Sequence, residues 1–174
     1  MGGSVVNDLD AVRQPVLDQQ DYVDQIRKLG QKTTPTVFGM RTPLPASGRG
    51  DMPLAATSRM SVILKTYAEG GENGLHCHPF EDHSFVVLQG EVVFHGEHGE
   101  IARLRRHQGV LLPRGAYYRF QAEPGDALVM IRFGAAVGDD AEQYDRTDVK
   151  GETAEGWDAQ NKTVPVVLTD ELFD

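Results

Sequence analysis

The chain has 174 residues, a length that fits one domain with a sizeable core and short extensions. Its 17 Lys and Arg against 26 Asp and Glu leave a formal net charge of −9, which excludes a nucleic-acid binder built on basic surface and suits an anionic membrane surface poorly. One cysteine, Cys77, excludes an intrachain disulfide, which suits a reducing compartment.

The N-terminus shows no basic region followed by an apolar run, and no stretch reaches the ~18 apolar residues of a membrane span. A cytoplasmic protein is therefore expected. Residues 17–29 read as one short amphipathic helix, with Tyr22, Ile26 and Leu29 at i, i+4 and i+7 and Gly30 as its stop. Residues 40–57, rich in Pro, Gly, Ser and Thr, read as a loop, so 1–57 is expected to be an N-terminal extension carrying the helix.

From residue 58 the pattern turns to β. Met60–Tyr67 is a predicted strand and Glu69–Gly74 a turn; His83–Gln89 is a second strand, followed by a tight turn at Gly90 and a strand over Glu91–His95. After a Gly-rich turn at His95–Glu100 come short strands at Val110–Pro113, Tyr117–Phe120 and Ala127–Phe133. No long helix interrupts 58–134, so the strands should pair mostly antiparallel, as an all-β sandwich, barrel or jelly roll. Residues 135–174 are expected to form an acidic, irregular C-terminal arm with a short strand at Val164–Leu168. From Asp139 onward eleven acids face three bases, which predicts a solvated arm. The alternative is docking on Arg103, Arg105, Arg106, Arg114 and Arg119.

Chemistry concentrates in Gly74-Leu-His-Cys-His-Pro-Phe-Glu-Asp-His. On extended backbone His76 and His78, two apart, point to one face. His83 begins the next strand, and a hairpin-like return would bring it beside them. Three neutral imidazoles meeting inside a β shell suit one divalent transition metal, Fe, Zn, Ni, Mn or Cu. Cys77 alternates with the two rings and should face away as a small packed residue. Glu81 and Asp82 are read as exposed turn acids or as acceptors for a ligating ring N–H. Phe85 and Val87 share the parity of His83 and should line an apolar interior suited to a small organic molecule. His95, His98 and His107 are expected at the surface, and parity alone does not place Arg132.

This segment resembles the first motif of the cupin superfamily: Gly, five residues, His-x-His, three or four residues, Glu, six residues, Gly. Gly70, His76, His78 and Gly90 fall at that spacing, with His83 in the place of the Glu. The second motif, Pro-x-Gly-x-x-His, is matched by Pro113-Arg-Gly115-Ala-Tyr-Tyr118, with Tyr118 in the place of the last histidine. The resemblance covers roughly residues 58–134. It implies a double-stranded β-helix (jelly-roll) barrel with its metal on His76, His78 and His83. By fold analogy it also implies a homodimer. Without the Glu, a bound ion would keep more of its charge and act as a stronger Lewis acid. Three-His cupins of this pattern include dioxygenases that cleave diketones and aromatic compounds, so a non-haem dioxygenase, with Fe(II) favoured and Tyr118 orienting substrate, is the function implied. The alternatives are a non-redox lyase, cyclase or isomerase using Tyr118 for proton transfer, and a non-enzymatic small-molecule-binding module.

Overall fold

Asp18 opens the first element by accepting a hydrogen bond from the Asp21 amide at 2.9 Å, a side-chain cap on the helix α1, Gln19–Gly30. The computed structural model describes residues 9–68, 74–137, 145–154 and 164–174. The turn expected at Glu69–Gly74 lies largely outside them. As its periodicity predicts, α1 buries Tyr22 and Ile26, with Leu29 packed beside them, against Val16, Ala56 and Ile63.

Strands follow in the order β1 Thr42–Ser47, β2 Arg49–Ala56, β3 Met60–Tyr67, β4 His76–Cys77, β5 Glu81–Gln89 and β6 Glu91–Gly96. They continue with β7 Gly99–Arg105, β8 Gly109–Leu112, β9 Arg119–Ala122, β10 Leu128–Ala136, β11 Thr147–Asp148 and β12 Val167–Phe173. One sheet runs β2-β3-β10-β5-β8 and a second runs β7-β6-β9, every pairing antiparallel. Their inner faces meet in a single apolar cluster. Tyr67, Phe85, Val87, Leu112, Leu128 and Met130 of the first sheet pack on Val92, Phe94, Phe120 and Ala122 of the second. Phe85, Phe94 and Phe120 form a triangle with ring centroids 5.3–5.7 Å apart. This is a jelly roll, the fold class expected. Gly90 makes the β5–β6 turn at φ +72, a left-handed conformation that glycine adopts without strain.

Four expectations are corrected. Residues 40–57 are mostly strand, not loop. Their prolines are tolerated because β2 is a sheet edge with a register break at Pro53, and because β1, with Pro43 and Pro45, pairs irregularly with β12 alone. The described parts of the C-terminal segment are not a solvated arm. β12 adds to β1, β11 adds to β4, and Arg41 meets Asp174 at 3.4 Å. The expected strand at Val164–Leu168 starts instead at Val167 and runs to Phe173. The turn expected over His95–Glu100 narrows to Glu97–His98, since His95 and Gly96 end β6 and Gly99–Arg105 is β7, an exposed edge strand whose charges hide its alternation. Among the described residues no helix is long and apolar enough to cross a membrane.

Candidate metal centre

The site forms where β4 runs into β5. His76 lies in β4 and His78 just beyond it, two residues on, so both rings leave the backbone on one side. β5 begins at Glu81, two residues before His83, so this pair also shares a face. Tyr118 is joined to β4 through its backbone: the His76 amide donates to the Tyr118 carbonyl at 3.1 Å and the Tyr118 amide to the His76 carbonyl at 2.8 Å. All five side chains are enclosed, none more than 4 % exposed. Ring centroids lie 5.2 Å apart for His76–His78, 4.1 Å for His78–His83 and 4.8 Å for His76–Tyr118.

The structure thus brings together the three histidines and the tyrosine singled out in the sequence, and it adds Glu81. Ligand atoms of His78, Glu81 and His83 all lie within 4.8 Å of one another, and His76 stands beside this tighter group, edge-on to His78. Glu81 is the ring N–H acceptor the sequence offered rather than an exposed turn acid, bonded to His83 at 2.6 Å, and only its place among the ligands was passed over, since it falls one residue short of the motif spacing after His78. Its parity with His83 on an early-starting strand was the available signal. A second device holds it in place. Gly134 on β10 pairs with His83, and a side-chain carbon at Gly134 would overlap the Glu81 carboxylate, so the missing Cβ is the space that Glu81 occupies.

Each ring has its own hydrogen-bonding state. The Nδ1–H of His76 donates to the Gly74 carbonyl at 2.7 Å, which fixes the tautomer and leaves Nε2 as a bare lone pair. That Nε2, and both ring nitrogens of His78, are buried without a hydrogen-bond partner. His83 is engaged at both ends, with Nε2 2.6 Å from Glu81 Oε2 and Nδ1 2.8 Å from the Tyr118 hydroxyl. With Glu81 ionised, one neutral tautomer satisfies both contacts: Nε2–H donates to the carboxylate and the Tyr118 O–H donates to Nδ1. The 3.3 Å approach of Arg132 Nη1 to the same Nε2 then sets two donors side by side. Arg132 is held instead by its ion pair with Glu81 at 3.9 Å and by donating from Nη2 to Ser61 Oγ at 2.8 Å.

Burial sets the protonation states. It pushes His76 down to about 3 and His78 and His83 well below the usual imidazole value, with Arg146, His83 and Arg132 respectively the next contributors. At neutral pH all three rings are neutral, the form that binds metals. The short His83–Glu81 contact is for that reason a hydrogen bond from a neutral ring rather than a salt bridge. Burial raises Glu81 against the pull of Arg132, and it pushes Tyr118 far above the ordinary phenol value, so Tyr118 is a neutral hydroxyl and not a phenolate ligand.

These residues fit a divalent ion. The orphaned lone pairs of His76 Nε2 and of one His78 nitrogen, beside the Glu81 carboxylate in a dry pocket, cost free energy while unpartnered, and a cation takes them up together. His83 would join through Nε2 only by giving up its N–H bond to Glu81 and carrying the proton on Nδ1 instead, where the Tyr118 hydroxyl oxygen can accept it.

The remaining sequence expectations resolve simply. Cys77 is buried, Phe85 and Val87 line the interior, and Asp82, expected as an exposed turn acid, is a half-buried residue of β5 that accepts from the Arg114 amide at 2.7 Å. His98 and His107 are exposed and His95 is half-buried. A cleft of about 900 Å3 opens elsewhere, between Leu44, Gly90, Glu123 and Phe173, and touches none of the histidines.

Topology and site together define the class: a two-sheet antiparallel jelly roll with a buried histidine–carboxylate cluster where β4 runs into β5. Among solved structures it overlaps the TT1209 protein of Thermus thermophilus at 24 % identity and TM-score 0.47, covering 51 % of this chain and 84 % of that one. It overlaps KdgF from a Halomonas species at 22 % and 0.46, covering 53 % and 83 %. A cupin superfamily protein from Desulfitobacterium hafniense overlaps at 21 % and 0.46, covering 51 % and 78 %. No family model matches the chain, and no curated protein matches it in sequence. At these identities the likeness extends to the fold alone.

Proposed function

We propose that this protein is a mononuclear metal-dependent enzyme acting on a small organic molecule, with the ion held by His78, Glu81 and His83 and completed by His76. The observation that carries the reading is the set of buried, unpartnered imidazole nitrogens beside a carboxylate. Two imidazoles and a carboxylate on one face are the donor set of non-haem Fe(II) oxygenases, which supports a dioxygenase, with Fe(II) as the favoured ion and a diketone or aromatic compound as substrate. Such an ion, when bound, supplies open positions for substrate oxygen and O2.

The chain's own residues do the rest. Phe85, Phe94 and Phe120 keep the interior dry. The neutral Tyr118 hydroxyl, bonded to His83 Nδ1, would orient a substrate oxygen and, once released from that bond, donate its proton to it. The Gly74 carbonyl locks the orientation of the His76 ring.

The Tyr118–His83 contact also supports a second reading, non-redox proton-transfer chemistry of the lyase or isomerase kind. The test is anaerobic reconstitution with Fe(II) or Zn(II), followed by O2-electrode assays against small diketones and aromatic substrates. O2 uptake with Fe(II) alone supports the dioxygenase. Equal turnover with Zn(II) and no O2 uptake transfers the assignment to the second reading.

A further inference from the structure

Arg146 is used by neither the fold nor the metal cluster. It directly precedes β11, whose Thr147 and Asp148 pair with Cys77 and His76 of β4. Continuing that antiparallel register by one residue sets Arg146 opposite His78, and directly opposed residues project to the same face. Its backbone is fixed there, with the Arg146 carbonyl accepting from the Ala154 amide at 2.9 Å. The guanidinium Nη1 is shut off from solvent yet has no hydrogen-bond partner. Electrostatics agree with the register. After burial, Tyr118 is the strongest influence on Arg146, and the Arg146 charge disfavours protonation of all three imidazoles.

Arg146 as a whole is half-buried, but a guanidinium nitrogen enclosed without an acceptor is costly, and among the described residues no carboxylate meets it. Glu81 cannot serve it, because that carboxylate is already bonded to His83 and ion-paired with Arg132. Asp51, the other buried acid among the described residues, accepts from Lys65. The cluster is therefore flanked by a fixed planar cation whose natural complement is planar and anionic.

We propose that Arg146 is a substrate-recognition residue and that the molecule entering this site carries a carboxylate, bound by the Arg146 guanidinium beside the metal cluster. This deepens the enzymatic reading above and rests on it for the identity of the site, but not for the binding of the anion. A guanidinium matches a carboxylate through two parallel N–H···O bonds, a geometry that an amide of the same size does not reproduce. Charge-assisted bonds of this kind discriminate by about tenfold to a hundredfold.

The test uses the full chain, as purified and after chelator treatment, with propionate, propionamide and inorganic phosphate as probes in titration calorimetry. Metal content is measured on every sample. The wild type should bind propionate at least about tenfold more tightly than propionamide, in the metal-free sample as well. Arg146→Gln should remove that preference while keeping the wild-type metal content. Arg146→Lys, which keeps the charge but not the fork, should retain part of it.

A wild type that does not distinguish the acid from the amide overturns the proposal, whether or not any variant folds. So does Arg146→Gln with the preference intact, and so does phosphate binding as tightly as propionate. Failure of the metal reading appears separately, as a wild type without metal that still prefers propionate.

Discussion

Acid should weaken the metal-free protein through its buried imidazoles, and the effect of His76 can be worked out. In the folded chain burial pushes His76 down to about 3, whereas an unfolded imidazole titrates near 6.5. The unfolded state therefore binds more protons between those values. The stabilising contribution is complete above the unfolded value and is lost progressively as pH falls toward the folded one. At pH 5 the unfolded ring is favoured by a factor of about 30 in proton binding, or about 2 kcal/mol. That is a large part of the ~5–15 kcal/mol that holds a domain together. His78 and His83 shift in the same direction, whereas Glu81, raised by burial, opposes them weakly. The assay is urea unfolding of chelator-treated protein, followed by far-UV circular dichroism at pH 7 and pH 5, for wild type and His76→Leu. The wild type should lose about 2 kcal/mol more than the variant over that interval. Equal losses in the two proteins would refute the picture of a neutral, enclosed His76.

Four further outcomes follow from the same geometry. Phe85→Ala, which empties the centre of the aromatic triangle between the sheets, should cost ~3–5 kcal/mol in urea unfolding. Gly134→Ala should push the Glu81 carboxylate out of its space, costing ~1–3 kcal/mol and lowering metal affinity in a competition titration with a chromogenic chelator. Tyr118→Phe should keep the metal content and lose turnover on the true substrate; unchanged turnover would make this residue mere lining. Metal removal should lower Tm, with the shift growing with metal concentration when the ion is added back.

Much of this was legible in sequence where pattern and burial agree. The strands β3, β5, β6, β8 and β10 are apolar or alternating because both sheets bury one face on a shared core, and the helix keeps its i, i+4 stripe because Tyr22 and Ile26 sit under it. What was hidden lies at edges. β1 and β2 carry prolines that only an edge or a bulge accepts, and β7 is a charged edge strand. The site shows the same division. His76, His78 and His83 were visible as a cluster, since i, i+2 spacing on a strand has a fixed geometric meaning. Glu81 was visible only as an acceptor for a ring N–H, the bond it makes with His83, and not as a ligand, because spacing to a motif says nothing of where the strand starts. Arg146 was out of reach of local reading altogether, since its place beside His78 depends on the pairing of β11 with β4 across about seventy residues of sequence.

The central claim is that the buried rings and Glu81 form a single metal site. Elemental analysis by mass spectrometry, on protein purified without added metal, tests it most directly when wild type is compared with His78→Ala, whose folding is checked by circular dichroism. The account predicts close to one equivalent of a first-row transition metal in the wild type and near loss of it in the folded variant. The same negligible content in both would contradict it.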